Sequence, residues 1–270
     1  MIFQDLHMHT FYDDGKDSPE DMIISGINLN LSSIGITAHS SIPGEDWCVP
    51  VDKIPSFQED VITSGEKHKQ SITTYCGLEY DILSEPYFDG FDYVIGSVHS
   101  LVVDGKKWDI DNTAELAVEM VKSAFCNDFE AAAAEYYSQV SKLADINEVD
   151  IIGHFDLLTK YDENFHIYKE SEKYLQQAYK TIDKLIDSDK IFEINTGAIS
   201  RGYRTSPYPS IELLSYISSK KGKICLSSDA HTKENIAYKF DLALRTAYDC
   251  GFRSIWQYDD GSFKQFKINN

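Results

Sequence analysis

Six of the eight histidines in this chain stand where a short apolar run ends. His7 and His9 close Asp5-Leu6-His7-Met8-His9, and His39 closes Ser33–His39. His99 follows Gly96-Ser97-Val98, His154 follows Gly153, and His231 ends Ser227-Ser228-Asp229-Ala230-His231. Two carboxylates share the pattern: Glu79 after Gly77-Leu78, and Asp229. One histidine after a strand is ordinarily a core or capping residue, but independent core histidines would scatter along strands instead of gathering at one end. Imidazole nitrogens interspersed with carboxylates suit Zn²⁺, Mn²⁺ or Fe²⁺. His7 and His9 lie two apart on an extended segment, as do Asp229 and His231, so each pair projects to one side and can grip one ion. The donors exceed the needs of one tetrahedral ion and suffice for two or three. Clustered divalent ions generate hydroxide at neutral pH and clamp phosphoryl oxygens, which points to phosphate-ester hydrolysis.

Such a site needs a frame that brings several strand ends together. Short apolar runs alternate here with segments of helical period. The expected strands are Phe3–His7, Ser33–His39, Ile72–Glu79, Phe91–His99, Asp150–His154, Ile191–Asn195 and Lys223–Ser228, with a last run, Arg253–Trp256, as a candidate closing strand. Ser18-Pro19-Glu20-Asp21 is a helix start, with Ser as N-cap and Pro in the first turn. Further helices are expected at Val51–Lys69, Thr113–Phe125, Asp128–Asn147, near Tyr168–Asp187, at Pro209–Lys220 and at Glu234–Cys250. Strands this uniformly apolar, alternating with helices, imply a parallel sheet buried on both faces. Seven or eight such units fit a (β/α) barrel, whose usual length is about 250 residues. A doubly wound open sheet is the alternative. No Pro/Gly/Ser-rich linker divides the 270 residues, so one domain over 1–270 is expected.

The chain is 42% hydrophobic and 26% charged, as globular domains are, but carries a formal net charge of −19. Duplex DNA and anionic membranes would repel such a surface, which disfavours nucleic-acid and membrane partners. Five scattered cysteines with no CxxC pair suit reduced thiols, and no leader or apolar span is evident; a cytoplasmic protein is expected. There is no GxSxG elbow and no P-loop, so neither a serine nucleophile nor nucleotide chemistry is supported. His68, in Glu66-Lys67-His68-Lys69, reads as a solvated helix end, and His166 as a loop residue.

The ordered set D-L-H-M-H, His39, Glu79, G-S-V-H, G-H at His154 and S-D-A-H resembles the PHP (polymerase and histidinol phosphatase) superfamily over almost the whole chain. The run Y-V-I-G-S-V-H and the segment Glu193-Ile194-Asn195-Thr196-Gly197, with Arg201 following, are most similar to the histidinol-phosphatase branch. The resemblance implies a distorted (β/α)₇ barrel holding three divalent ions (Zn, Mn or Fe). It assigns His7, His9, Glu79 and Asp229 to the first ion, with Glu79 bridging to a second held by His99 and His154. His39, His231 and an acid shortly after the first motif would hold the third; Asp14 is chosen over Asp13 by position. A hydroxide bridging the first two ions would attack phosphorus in line. Asp229 and His231 are the candidate catalytic side chains for the leaving group. Arg201 and Lys160 are the candidate phosphate grips, with Arg204 competing for the first place. The implied reaction is hydrolysis of L-histidinol phosphate, with another small phosphate ester or a nucleotide as the alternative. Glu45, Asp46, Trp47, Tyr161 and Tyr203 are suitable types to recognise an imidazole and an ammonium.

Overall fold

The computed structural model describes residues 4–168 and 171–268. Its elements run β1 (Gln4–Asp5), α1 (Pro19–Asn28), β2 (Ser33–Ile36), α2 (Ile54–His68), β3 (Thr73–Asp81), β4 (Tyr93–Ser97), β5 (Ser100–Val103) and β6 (Lys106–Asp109). Then come α3 (Ala114–Ala124), α4 (Phe129–Lys142), β7 (Ile151–Ile152), the short α5 (Asp162–Phe165), α6 (Glu172–Asp187) and β8 (Ile191–Asn195). The last third holds the short α7 (Gly197–Ser200), α8 (Ile211–Ser219), β9 (Lys223–Ser227), α9 (Phe240–Asp249), β10 (Ser254–Asp259) and β11 (Ser262–Lys267). Side chains set several helix starts: Ser18 accepts from Asp21 N, Thr113 from Leu116 N, Asp128 from Ala131 N and Ser171 from Tyr174 N.

One seven-stranded sheet runs β1-β2-β3-β4-β7-β8-β9, parallel throughout. Its two outer strands meet just beyond their ends. Met8 and Ala230 form a parallel bridge, and His9 N donates to Ala230 O at 2.8 Å, which nearly closes a barrel. The buried Asp5 carboxylate bolts this seam by accepting from Ser228 N (3.1 Å), Ser228 Oγ and Ala237 N (2.9 Å). Burial outweighs those hydrogen bonds and pushes its pKa up to about 6.

The barrel is filled unequally along its axis. At the N-terminal ends of the strands Leu6, Tyr93, Ile95, Ile151, Ile191 and Cys225 pack with Tyr258 of the β10–β11 hairpin. Gly77 makes room for this floor, since a Cβ there would stand 2.3 Å from the Tyr93 ring. Outside, Met22, Ile23, Phe57 and Val61 of α1 and α2 cover one flank; the other helices share a larger apolar layer with β3, β4 and β7–β9. With apolar side chains spent on floor and flanks, the polar strand ends are left to face one another at the C-terminal mouth.

The expected barrel is present as a nearly closed one of seven parallel strands, and not as a doubly wound open sheet. Two expectations need correction, and one element was missed. The run Arg253–Trp256 does not close the barrel: Ser254–Asp259 pairs antiparallel with Ser262–Lys267 in a hairpin under the floor. The helix expected over Glu234–Cys250 begins only at Phe240, because the Asp5 carboxylate claims Ala237 N–H and the backbone turns left-handed at Ala237 (φ 53°) and Lys239 (φ 56°). The β5–β6 hairpin was not expected. Its turn, Asp104-Gly105 at φ 50° and 76°, is the Asp-Gly signal that would have found it. Phe3, Lys169 and Glu170, inside two expected elements, lie outside the described residues.

Candidate metal centre

Glu79 sits at the centre of the mouth, near the end of β3 and 1% exposed. Its Oε2 lies 3.2 Å from His7 Nε2, 3.3 Å from His9 Nε2 and 2.8 Å from His39 Nδ1. Its Oε1 lies 2.9 Å from His154 Nε2 and 3.4 Å from His99 Nε2, and accepts from Ser97 Oγ at 2.7 Å. Asp229 Oδ1 faces His7 Nε2 at 3.9 Å and His9 Nε2 at 3.7 Å. Asp14 reaches His231 Nε2 at 3.1 Å and His39 Nε2 at 3.6 Å. All nine candidate ligands therefore converge, in three overlapping groups joined through Glu79, His9 and His39.

The donor set fits divalent cations. Glu79 Oε2 and His39 Nδ1 are both buried with no hydrogen bond of usable geometry. A tetrahedral ion with bonds of about 2.0–2.1 Å spaces its ligand atoms roughly 3.3–3.4 Å apart. The His7, His9 and Glu79 atoms stand 3.1–3.3 Å apart, with Asp229 slightly farther. The electrostatics agree. Burial opposes charge on His7, yet the carboxylates of Glu193, Glu79 and Asp229 hold its pKa well above the ordinary value. His9 is raised against burial to about 10, chiefly by Asp13. Burial likewise opposes ionisation of Glu79 and Asp229, but His7, His39 and His99 keep the former, and Arg201 and His7 the latter, well below the carboxylate range. The cage stabilises positive charge at its centre.

Three carboxylates hold the far side of the imidazoles. Asp13 Oδ2 takes His9 Nδ1 at 2.7 Å and His39 N at 2.9 Å. Asp81 Oδ2 lies 3.0 Å from His99 Nδ1, and Glu193 Oε1 lies 2.6 Å from His7 Nδ1. Asp13 thus faces His9 and the His39 backbone while Asp14 faces His39 and His231, and both lie in one group of possible ligands with His9 and His39. Sequence reasoning missed Asp81 and Glu193 as site residues. Their signal was a charged residue on the inward face of a buried strand, Asp81 two after Glu79 and Glu193 two before Asn195.

The centre opens into a cavity of about 460 Å³ lined also by Glu45, Asp46, Trp47, Asp109, Asp111, Lys160, Arg201 and Tyr203. Arg201 donates to Asp229 Oδ2 (2.9 Å) and to Asp229 O (3.1 Å) and lies 3.0 Å from His231 Nδ1. Asp229 itself holds a left-handed φ of 50°, strain that the Arg201 contact helps to fix. Lys160 Nζ donates to Asp111 O at 2.7 Å. Trp47 packs edge-on against His39 and His99, its indole N–H donating to Glu45. Tyr161 OH donates to Asp111 O and its ring meets Tyr203. Arg204 does not reach this cavity; it lines a separate one, as does His166. His68 pairs with Glu20 on the surface.

A family model described as PHP domain matches residues 5–197. A probable histidinol-phosphatase of Schizosaccharomyces pombe is 24% identical over 264 residues, covering 90% of this chain and 84% of its own. A Lactococcus lactis histidinol phosphate phosphatase, solved with zinc, L-histidinol and phosphate, superposes with a TM-score of 0.70 at 18% identity over 97% of this chain and 98% of its own. A Listeria monocytogenes chain gives a TM-score of 0.78 at 18% identity, covering 88% and 99%. With the model spanning most of the barrel, and the ligand-type residues gathered at its mouth, the chain belongs to the PHP domain family.

Proposed function

We propose that this protein is a metal-dependent phosphomonoesterase that hydrolyses L-histidinol phosphate to L-histidinol and phosphate, a cytoplasmic enzyme of histidine biosynthesis. The observation that carries the reading is the gathering of six imidazoles with Glu79, Asp14 and Asp229 at the barrel mouth, His39, His99, His154 and His231 lining one cavity and His7 and His9 buried beneath it. His7, His9, Glu79 and Asp229 would hold one ion, Glu79, His99 and His154 a second, and Asp14, His39 and His231 a third. Zn, Mn and Fe all suit these donors, and ions held there would supply an activated water and neutralise the phosphoryl oxygens.

The chain's own residues do the rest. Arg201 and Lys160 line the cavity from two loops and are placed to receive the phosphate dianion, Arg201 from its seat on Asp229 and Lys160 from Asp111. A lysine there contributes a point charge without the bidentate fork of an arginine. Asp229 holds Arg201 through Oδ2, and His231 turns Nε2 to Asp14 and the third ion and Nδ1 to Arg201, so the proton for the leaving oxygen would come from a bound water. Away from the centre the cavity wall turns acidic and aromatic, with Glu45, Asp46, Asp109 and Asp111 beside Trp47 and Tyr203. Such a wall favours a leaving group bearing an ammonium and an imidazole over a neutral sugar or a polyanionic nucleotide.

The test is phosphate release by zinc-loaded protein from L-histidinol phosphate, set beside a panel of sugar phosphates and nucleotides. Histidinol phosphate is expected to give the highest kcat/KM. A preference of about tenfold or more for a panel member would leave a phosphoesterase and remove this substrate.

A further inference from the structure

Glu193 is a buried acid in the middle of Ile191-Phe192-Glu193-Ile194-Asn195, a strand with no exposed residue. Nothing in the stability of a barrel asks for it. A buried carboxylate is costly to desolvate, and apolar residues of similar volume commonly serve a core at least as well. Its partners explain its presence. Oε1 takes the imidazole Nδ1 of His7, from the end of β1, at 2.6 Å. Oε2 accepts the backbone N–H of His154, beyond β7, at 3.0 Å and the side-chain amide of Asn195 at 3.1 Å. That amide also lies 3.4 Å from Asp229 Oδ2, at the end of β9. Opposite, Gly153 carries no Cβ, which would stand 2.3 Å from Ser97 Oγ, the donor to Glu79, and 3.6 Å from Glu193 Oε2.

We infer that Glu193 is a positioning residue: one carboxylate fixes the His7 tautomer with Nδ1 protonated and Nε2 free for a cation, and holds the His154 backbone, and through Asn195 the Asp229 carboxylate, in register with it. It touches neither substrate nor ion. It acts across three strand ends, and so couples the group of His7, His9 and Asp229 to the group of His99 and His154. Asp81 holds His99 alone and Asp13 joins His9 to the backbone of His39, whereas Glu193 is the holder that reaches three strand ends at once, β1, β7 and, through Asn195, β9. The inference rests on His7 and His154 being ligands, and the experiment separates the two ideas.

Zinc affinity of the full-length protein is measured by competition with a chromophoric chelator, and the His7 tautomer by ¹⁵N–¹H correlation in the zinc-loaded protein. Glu193→Ala is expected to weaken zinc binding about 10- to 100-fold and to give a mixed His7 tautomer. Glu193→Gln is expected to fall between: its carbonyl can accept from His7, but its NH₂ then faces the donors of His154 and Asn195. Asp150→Asn serves as a control. Its carboxylate accepts from Val94 N at 3.0 Å at the opposite end of the sheet, so it should lower Tm and leave zinc affinity and tautomer unchanged. Wild-type affinity and a single tautomer in folded Glu193→Ala, or in Glu193→Gln should the alanine variant not fold, overturns the inference. Undiminished zinc binding in His7→Ala overturns the ligand assignment itself, a separate failure.

Discussion

Two cavities lie side by side in this protein and contain much the same residue types. The first, about 460 Å³, is lined by His39, His99, His154 and His231 with Arg201 and Asp229; the second, about 250 Å³, is lined by Asp156, Asp162, Glu163, His166 and Arg204 among others. Their charged groups differ in what they bind. In the second, Asp156 accepts from Ser210 N at 3.0 Å, Asp162 from Ile167 N at 3.1 Å, and Glu163 from Thr205 N at 2.8 Å. Arg204 donates to the carbonyls of Thr159 (3.2 Å) and Ser206 (3.3 Å). Charge there staples loops. In the first, carboxylates meet imidazoles and a guanidinium, and the side-chain donors point at one another. Residue type alone does not make a reactive site; side-chain donors aimed at a shared point do.

The strongest way to break this contrast is to remove the shared point. Glu79→Ala, assayed with zinc in excess, is expected to lower kcat/KM by roughly 10³-fold or more, about 4 kcal/mol of transition-state stabilisation, and to reduce the zinc retained after gel filtration. A loss below about tenfold would mean that the six imidazoles do not work through Glu79.

The two arginines sharpen it further. Arg201→Ala should cost about 10²-fold in kcat/KM, because the proposed phosphate grip is lost, and also lower Tm, because Asp229 O and Oδ2 lose their donor. Arg204→Ala should leave kcat/KM within about threefold and cost roughly 1–3 kcal/mol of stability, since two carbonyls lose their donor. Thermal unfolding and steady-state rates, measured on both variants, decide it; exchanged phenotypes would mean that the phosphate grip had been placed in the wrong cavity.

Protons distinguish the cavities too. His9 is raised from the ordinary 6.5 to about 10 by its carboxylates, and His7 is raised as well, so at pH 7 the ion-free site carries protons that a cation must displace. Zinc binding should therefore release protons, and apparent affinity should rise by about tenfold per pH unit per proton displaced. The stability sign follows from the same shift. A histidine raised on folding adds stability that is full below 6.5 and lost as pH rises toward about 10, so ion-free protein should weaken across that range while zinc-loaded protein holds. Calorimetry in two buffers of different ionisation enthalpy reads the release; zinc binding without it would show that these imidazoles are not the ligands.

Much of this was legible from the chain. Strand ends are visible because an apolar run stops, and six histidines standing at those stops placed the centre before any geometry was known. Asp14 could be preferred to Asp13 by position, but only the fold shows Asp13 turned back onto His9 Nδ1. The holders Asp81 and Glu193 left a signal, an acid in a buried strand, but their partners were illegible for a physical reason. Their partners come from other strands, and a lone acid within an apolar run does not say which imidazole lies across the barrel. The start of α9 failed likewise, because the Asp5 carboxylate that claims Ala237 N–H is 232 residues away. The β5–β6 hairpin was a different kind of miss, since its Asp104-Gly105 turn is local and was passed over.

The smallest expected effect tests whether the second cavity has any function beyond stapling. Burial outweighs the backbone hydrogen bonds at Asp162 and pushes its carboxyl from 3.8 up to about 6. Between those values the folded chain holds a proton that the unfolded chain has lost, so stability falls as pH rises through that window and the deficit persists at pH 7. Asp162→Asn keeps an oxygen facing the N–H groups of Ile167 and Tyr168 and removes the buried charge. After discounting for partial exposure, the gain at pH 7 should be about 1 kcal/mol, or roughly 2–4 °C in Tm, vanishing below about pH 4. Activity on histidinol phosphate should not change, because no hydrogen bond of Asp162 runs to the histidine cluster. A stabilised variant with a tenfold lower kcat/KM would show that the second cavity reports to the first, and the division between stapling and reacting charge would fall.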